Sequence, residues 1–229
     1  MVLSSSTNGL GDVLFLTAVA KAVKDATVQL PTHAKRFSIL FDKLAKVEII
    51  GEQDLRPIPD IGSGHYVRRK LRGIFGEAAE SMCVRPVVLH TNPESEIWAR
   101  EYLSDKPFPS IFVPTCSPRW KSTRNIPIHL ANAIYKKMQD TGRTPIVCQS
   151  SSNFLDIGEH QLVDLDLSKY ICLCRQVAES FTANTGDEHL MTAVGGKTFV
   201  YQPADHSLFN HAEWNYSHPN STYFTWPVS

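Results

Sequence analysis

The sequence predicts an α/β protein with parallel sheets, built as two lobes, and three observations carry this prediction. Of its 229 residues, 42% are hydrophobic and 20% charged, proportions typical of a folded globular protein. Short apolar strands alternate with amphipathic helices in both halves, a pattern typical of parallel sheets covered by helices. Residues 104–109 have the composition of a linker, which divides the chain into lobes at 1–105 and 106–229.

The first lobe is predicted from hydrophobic periodicity and from glycine and proline stops. Val13, Leu16 and Ala20 lie at helical spacing after a loop of small residues. In chain order, the predicted elements are a strand at 2–3, a helix after the loop 4–9, a helix around 37–44, strands at 47–50 and 86–90, and a helix at 94–103.

The second lobe repeats the alternation of strands and helices. Gly142 is expected to end its first helix, since glycine favours the conformation that follows a helix. The strands are predicted at 111–113, 144–148, 181–183 and 197–201, and the helices at 128–138, 169–179 and 188–194. The tail 205–229 shows no regular pattern, but its aromatic residues predict that it packs against the protein.

Charge and cysteine usage narrow the function classes. Because 23 basic side chains balance 23 acidic ones, no strong attraction to nucleic acid or lipid comes from net charge. Five cysteines without a Cys-x-x-Cys pair indicate neither a disulfide framework nor a zinc ribbon, and a cytoplasmic location is expected. The apolar run at 13–20 is shorter than the ~20 residues of a membrane span.

No cofactor or metal ion is predicted. The nucleotide-binding patterns Gly-x-Gly-x-x-Gly and Gly-x-x-x-x-Gly-Lys-Ser/Thr do not occur, which argues against a dehydrogenase and a P-loop ATPase. The tail holds imidazole and carboxylate groups, but their spacing matches no common ligand pattern. These residues are Asp205, His206, His211, Glu213 and His218.

Two strand-to-helix turns carry residues suited to chemistry. Ligands of open α/β sheets bind beyond the carboxyl ends of the strands, where helix N-termini present N–H groups to anions. The first turn places Gly9 and Gly11, which let a substrate approach the backbone, before Asp12. In the turn at 183–190, a Thr-Gly pair opens a helix with His189 just inside it. Taken alone, Asp12 also fits a solvated first-turn carboxylate, and His189 a packed histidine.

Together and in this order, these turns resemble the heptosyltransferase-like glycosyltransferases of family 9, whose fold is GT-B. Residues 9–18 (GLGDVLFLTA) resemble the opening Gly-Asp turn and helix of that family. Residues 184–197 (NTGDEHLMTAVGGK) are similar to its donor segment Asp-Ser/Thr-Gly-x-x-His-Leu-x-x-Ala-x-Gly-x-Pro. Residues 120–127 (WKSTRNIP) are similar to its basic Lys-x-Trp-Pro region, with the order changed. The resemblance implies two Rossmann-like lobes facing across a cleft.

The resemblance further implies a metal-independent, inverting transfer of a sugar from a nucleotide-diphosphate sugar to a hydroxyl of a glycan or other acceptor. Asp12 is the expected general base, which takes the proton of the attacking hydroxyl. The N–H groups of Thr185 and Gly186 are expected to stabilise the leaving diphosphate. The other donor-side residues that it implies are Arg119, Lys121, Arg124, Asn184 and His189.

Several alternatives remain open at this stage. The cations of residues 119–124 also fit a solvated loop. Arg68 and Arg69 begin a run of cations at 68–72 that fits an anionic acceptor, such as a phosphorylated glycan or DNA, or an exposed helix face, which charge runs more often form.

Two other functions compete with sugar transfer to a glycan. Asn184 replaces the family's Asp, and the chain is short, which favours a non-catalytic nucleotide-sugar-binding relative. The cation run favours a DNA glycosyltransferase of phage type. The sequence leaves open the base and sugar of the donor, the acceptor and the oligomeric state.

Overall fold

A computed structural model describes residues 1–4, 9–59, 61–62, 66–118, 124–204 and 220–227. These residues fall into two compact units that divide between His90 and Thr91. Within the described residues, the first unit holds a three-stranded sheet and the second a six-stranded sheet, and all their strand pairs are parallel. The predicted α/β class with parallel sheets is therefore confirmed.

The first unit is built around a helix that is buried on all sides. The order of its strands is β1-β2-β3. Every residue of helix α1 from Val13 to Ala20 is buried, as expected for a helix that is apolar all round. The elements are β1 (Val2–Ser4), α1 (Leu10–Ala22), β2 (Thr27–Pro31), a 3₁₀ helix (Thr32–Phe41), β3 (Lys46–Ile50), a short 3₁₀ helix (Glu52–Asp54), α2 (Tyr66–Phe75) and a 3₁₀ helix (Gly76–Ser81).

The second unit has the strand order of a dinucleotide-binding fold. Its elements are α3 (Pro93–Leu103), β4 (Pro109–Val113), α4 (Ile128–Asp140), β5 (Thr144–Gln149), β6 (Gln161–Val163), α5 (Leu167–Gln176), β7 (Glu179–Ala183), α6 (Gly186–Ala193), β8 (Lys197–Pro203) and β9 (Ser221–Trp226). The sheet order is β6-β5-β4-β7-β8-β9, which is 3-2-1-4-5-6 when the strands are numbered within the unit. The order reverses between β4 and β7, so a crevice is expected beyond the carboxyl ends of these two strands.

Local sequence explains most of these elements. The predicted apolar face of α4 packs against β4 and β5 through Ala131, Ile134 and Met138. The left-handed backbone of Gly142 (φ +81°) follows α4, as predicted. Cys172 and Cys174 are buried core residues.

The structure differs from the predictions in five segments. Residues 86–90 form no strand, because the N–H of Val87 donates to Thr17 Oγ1 (3.0 Å) on α1 instead of pairing with a neighbouring strand. The segment around 37–44 lies partly in a 3₁₀ helix rather than an α-helix. β2, β6 and β9 were not predicted.

The boundary between the two units, at His90 and Thr91, lies before the segment 104–109 that has the composition of a linker. Helix α3 belongs to the second unit because it packs against α5. Gln176 Nε2 donates to the carbonyl of Glu96 (3.1 Å), and Lys169 Nζ lies 5.2 Å from the ring centre of Trp98. Within the described ranges, no helix combines the length and apolar composition needed to cross a membrane.

Candidate functional site

The switch point of the six-stranded sheet brings together two loops that the sequence singled out. β4 leads into the loop that carries Arg124, and β7 leads directly into Asn184 and the first turn of α6. Parallel strands end at the same edge of a sheet, so both loops lie at the edge where ligands of this topology bind. Arg119 and Lys121 lie outside the described residues.

The first turn of α6 is capped by a side chain. Thr185 is extended, and its Oγ1 accepts a hydrogen bond from the N–H of Asp187 (3.3 Å). The same hydroxyl donates to Asp187 Oδ2 (2.5 Å). Gly186 opens the helix, and His189 follows half-buried at its fourth position. The predicted Thr-Gly turn is therefore a well-formed helix N-terminus, whose partial positive charge suits an anion.

Two tyrosines from different elements bind the two acids of this turn. Tyr170, on α5, hydrogen-bonds to Asp187. Tyr223, on β9, donates its hydroxyl proton to Glu188 Oε1. Glu188 is only 2% exposed, and burial raises its pKa to about 7. Sequence reasoning missed these contacts, because a first-turn glutamate is ordinary and no structure was predicted for the segment that holds Tyr223.

Asn184 is tied to the neighbouring strand. Its backbone N–H donates to the carbonyl of Tyr201 (3.1 Å), and its Nδ2 donates to Oε1 of Gln202 (2.8 Å), at the end of β8. Gln202 is 8% exposed, so the bond is shielded from water. The position where the resembling family has Asp thus holds a neutral amide whose N–H engages β8. Gln202 gave no signal in the sequence.

The loop after β4 is anchored by a pair of asparagines. Asn125 and Asn153 exchange amide hydrogen bonds of 2.9 Å in both directions. Asn125 Oδ1 also accepts from the N–H of Cys116 (3.0 Å), and Asn153 Nδ2 donates to the carbonyl of Cys116 (2.7 Å). Burial raises the pKa of the Cys116 thiol to about 11, while the nearby charge of Arg124 opposes that shift. These contacts hold the described ends of the basic loop at the sheet edge.

The candidate base lies at the start of α1. Gly9 precedes the helix with extended backbone (φ −80°, ψ 156°), and this N-cap residue has no side chain that could cap the helix. Gly11 and Asp12 occupy the first turn. A Cβ added to Gly9 would lie 3.1 Å from Asp12 Oδ2, so the carboxylate packs closely over the glycine. The sequence prediction of a first-turn carboxylate after a glycine turn matches this geometry; residues 5–8 lie outside the described part.

The cation run of α2 is engaged within the first unit. Arg68 Nη1 donates to the carbonyls of Ala79 and of Met82 (2.8 Å for Met82). Lys70 is 6% exposed, and its Nζ donates to the carbonyl of Ile58 (2.8 Å).

Arg72 contacts its neighbours through its side chain, and Arg69 through its backbone. Arg72 Nε pairs with Glu80 Oε1 (2.6 Å), and the carbonyl of Arg69 accepts from the N–H of Ile61 (3.3 Å). The interpretation of this run as a solvated helix face is therefore wrong for Lys70. The roles of Arg68 and Arg69 toward an anionic acceptor stay predictions.

No metal centre is formed in the described part of the chain. There, no three or more His, Cys, Asp or Glu side chains are grouped so that they could hold a metal ion. The acidic and histidine residues of the tail, 205–218, lie outside it. The described groups of the candidate site in the second unit are the N-terminus of α6, the amides of Asn184 and Gln202, and Arg124.

Comparison with known proteins identifies the fold. No protein-family model and no curated protein sequence matches the chain. A solved glycosyltransferase of family 9 from Veillonella parvula matches with a TM-score of 0.71 at 10% identity, covering 100% of this chain and 87% of that chain. The E. coli ADP-heptose LPS heptosyltransferase II matches with a TM-score of 0.62 at 11% identity, over 97% of this chain and 89% of that one.

A third match is the E. coli heptosyltransferase WaaC, solved with ADP. Its TM-score is 0.57 at 11% identity, with 99% of this chain and 91% of that chain covered. At such low identity these similarities establish the fold. The chain has the α/β fold of heptosyltransferase-like glycosyltransferases, as the resemblance of its two turns predicted.

Proposed function

We propose that the protein is a glycosyltransferase that moves a sugar from a nucleotide-diphosphate sugar to an acceptor hydroxyl, with inversion at the anomeric carbon. The observation that carries the proposal is the position of the 184–189 turn. The segment with the donor-motif resemblance opens α6 at the switch point of the six-stranded sheet, where ligands of this topology bind. The fold is also that of heptosyltransferases, and WaaC was solved with ADP.

Asp12 is the proposed general base. As the acceptor oxygen attacks the anomeric carbon, the carboxylate takes its proton, and the bond from that carbon to the diphosphate breaks on the opposite face. The glycines on either side of Leu10 leave room for a substrate beside the backbone. A carboxylate at a helix N-terminus is otherwise a weak base, because the dipole favours its ionised form. Partial desolvation by the bound acceptor would offset this effect.

The leaving diphosphate is the second group that needs stabilisation. Its negative charge develops as the glycosidic bond breaks, so donors held in place beforehand lower the barrier. The N-terminal turn of α6 supplies a dipole and backbone N–H groups, and Arg124 supplies a guanidinium from the loop after β4. With Arg119 and Lys121, these groups perform the charge neutralisation for which other transferases use a metal ion. We therefore propose a metal-independent mechanism.

The test is a thermal-shift series with ADP, GDP, UDP, CDP and dTDP and their sugar conjugates, with and without EDTA. A nucleotide at ~100 times its Kd stabilises the fold by about 2.7 kcal/mol, which raises Tm by several degrees in a domain of this size. We expect a shift with one base that EDTA does not change. The absence of any shift would contradict the proposal, and a shift that EDTA removes would contradict its metal independence.

A non-catalytic nucleotide-sugar-binding protein is the second candidate. It is favoured by Asn184, whose amide is bound to Gln202 at the position where the resembling family has Asp. Both candidates predict nucleotide binding. Hydrolysis or transfer of the bound sugar that Asp12→Asn abolishes, with nucleotide affinity retained, would decide for the transferase.

A further inference from the structure

Glu188 is a buried carboxyl group that the proposed mechanism does not use. It stands at the third position of α6, so it lies within about 4.5 Å along the helix axis of the capping Thr185, at 1.5 Å per residue. It is 2% exposed, and burial of a lone carboxylate is costly unless a partner compensates for it. A charge at this place lies close to any anion bound at the turn.

The partner of Glu188 comes from the edge strand of the sheet. In the parallel register of β8 and β9, Tyr223 pairs with Val200, so its side chain lies on the same face of the sheet as α6. Phe224, the next residue, lies on the opposite face, where its ring stacks 5.1 Å from that of Tyr201. The strand therefore presents the Tyr223 hydroxyl to the turn at 184–189, the donor turn of the proposed function, and the Ser221 hydroxyl lies on the same face of the strand.

We propose that Glu188 and Tyr223 are positioning residues of the donor turn, which binds a nucleoside diphosphate more tightly when Glu188 is protonated. The inference rests on the proposed function. When Glu188 is ionised, it adds a negative charge beside the diphosphate. This charge offsets part of the positive potential of the helix N-terminus, which would otherwise stabilise the diphosphate. When Glu188 is protonated, the full positive potential of the helix N-terminus acts on the diphosphate. The Tyr223 hydroxyl shifts the equilibrium between protonated and ionised Glu188, because its hydrogen bond favours the ionised form.

The titratable groups that face Glu188 come from β9, α5, β5 and α6 itself. β9 presents Tyr223, whose pKa burial raises far above its usual range. The facing residues of β7 and β8, among them Thr182 and Gln202, carry no charge. The groups that face the turn from α5 and β5 are Tyr170, Cys174 and Cys148, and burial raises the pKa of each. Asp187 and His189 flank Glu188 on α6 itself. Burial raises the pKa of Glu188 to about 7.

The experiment measures the Kd of ADP, GDP, UDP, CDP and dTDP by calorimetry between pH 5.5 and 8.5 in four proteins. These are the wild type, Glu188→Gln, Tyr223→Phe and the control Tyr201→Phe, which makes the same change on the opposite face of the neighbouring strand. For the nucleotide that binds, we expect the wild-type Kd to rise on the order of tenfold through pH 7, relative to Glu188→Gln. Dividing the wild-type Kd by the Kd of Glu188→Gln at each pH removes the contribution from titration of the nucleotide's own phosphate.

The tyrosine variants test whether Tyr223 acts on the titration of Glu188, because a purely structural role would not change the midpoint of the Kd profile. Tyr223→Phe removes a hydrogen bond that favours the carboxylate, so the midpoint of its Kd profile shifts to higher pH. Tyr201→Phe keeps the wild-type midpoint. Parallel profiles in the wild type and Glu188→Gln would overturn the inference and leave the proposed function standing. If Glu188→Gln does not fold, an unshifted Tyr223→Phe midpoint overturns it instead. Failure of all five nucleotides to bind the wild type would overturn the proposed function itself.

Discussion

The two strand-to-helix turns that carry the candidate chemistry have the same topology and opposite construction. The helix α1 begins after Gly9, and this N-cap residue has no side chain that could cap the helix. The turn before α6 begins at Thr185, whose hydroxyl both accepts from and donates to Asp187. In the part of the first turn that the structure describes, the chemical groups are the glycine backbone and the Asp12 carboxylate. The second turn is stiffened by side chains.

The difference fits two separate chemical tasks. A general base needs a carboxylate that a hydroxyl can approach, and glycines before it remove side chains from the path. A site for a leaving diphosphate needs donors whose position does not change as charge develops, and caps and buried hydrogen bonds hold them. The first turn therefore suits proton transfer and the second suits binding, which can be tested by changing one residue at a time.

The largest effect is expected from Asp12→Asn. The amide is nearly isosteric with the carboxylate but is a much weaker base, so we expect the transfer rate to fall by roughly 10²- to 10⁴-fold. The Kd for the nucleotide should stay within about twofold, because the donor turn belongs to the other unit. Rate and Kd are measured on the same preparation. A parallel loss of nucleotide affinity would contradict the division of tasks between the two turns.

A smaller effect is expected from Gly9→Ala. The backbone at Gly9 suits any residue, so the change introduces no backbone strain, but the new Cβ would lie 3.1 Å from Asp12 Oδ2 and displace the carboxylate by a few tenths of an ångström. Since a 1 Å displacement of a catalytic group can cost about 10²-fold, we expect the rate to fall roughly three- to tenfold.

The control for that variant is Gly51→Ala in the same unit. Like Gly9, Gly51 precedes a helix with extended backbone (φ −67°, ψ 148°), in this case a 3₁₀ helix. A Cβ added to Gly51 would meet the end of the Gln53 side chain, which can move away. Both variants should lose similar, small amounts of stability, under about 1 kcal/mol. Equal rates in the two variants would show that contact with Gly9 does not position Asp12.

Local patterns predicted much of the fold, and contacts between distant segments account for what they missed. Helical spacing predicted α1 and α4, and Gly142 marked the end of α4, because these signals lie within a few residues. The short apolar run at 86–90 also looks like a strand, yet the N–H of Val87 donates to Thr17 of α1. Whether an apolar segment forms a strand depends on a neighbour that local pattern does not reveal.

The candidate site shows the same limit. The Thr-Gly turn and Asp12 were predicted because each stands in a compact motif, whereas Glu188 and its partner Tyr223 are 35 positions apart. That contact exists because β9 pairs with β8, and β9 was not predicted. The cations of α2 illustrate the converse. A run of charges predicts a solvated helix face, but the Lys70 side chain is buried and its Nζ donates to the carbonyl of Ile58.

The smallest effect is expected from Thr185→Ala, and it separates stability from binding at the donor turn. Removing the cap should cost about 1 kcal/mol of unfolding free energy, or roughly 2–4 °C in Tm. Asp166→Ala is the matched control, because Asp166 caps α5 in the same unit through bonds to the N–H groups of Ser168 (2.9 Å) and Lys169 (3.3 Å). Both variants should lose similar stability. If the α6 turn binds the diphosphate, only Thr185→Ala should also weaken nucleotide binding, by about fivefold for 1 kcal/mol. Equal Kd values in the two variants would mean that the cap stabilises α6 without shaping the ligand site, and the contrast between the two turns would then concern folding rather than function.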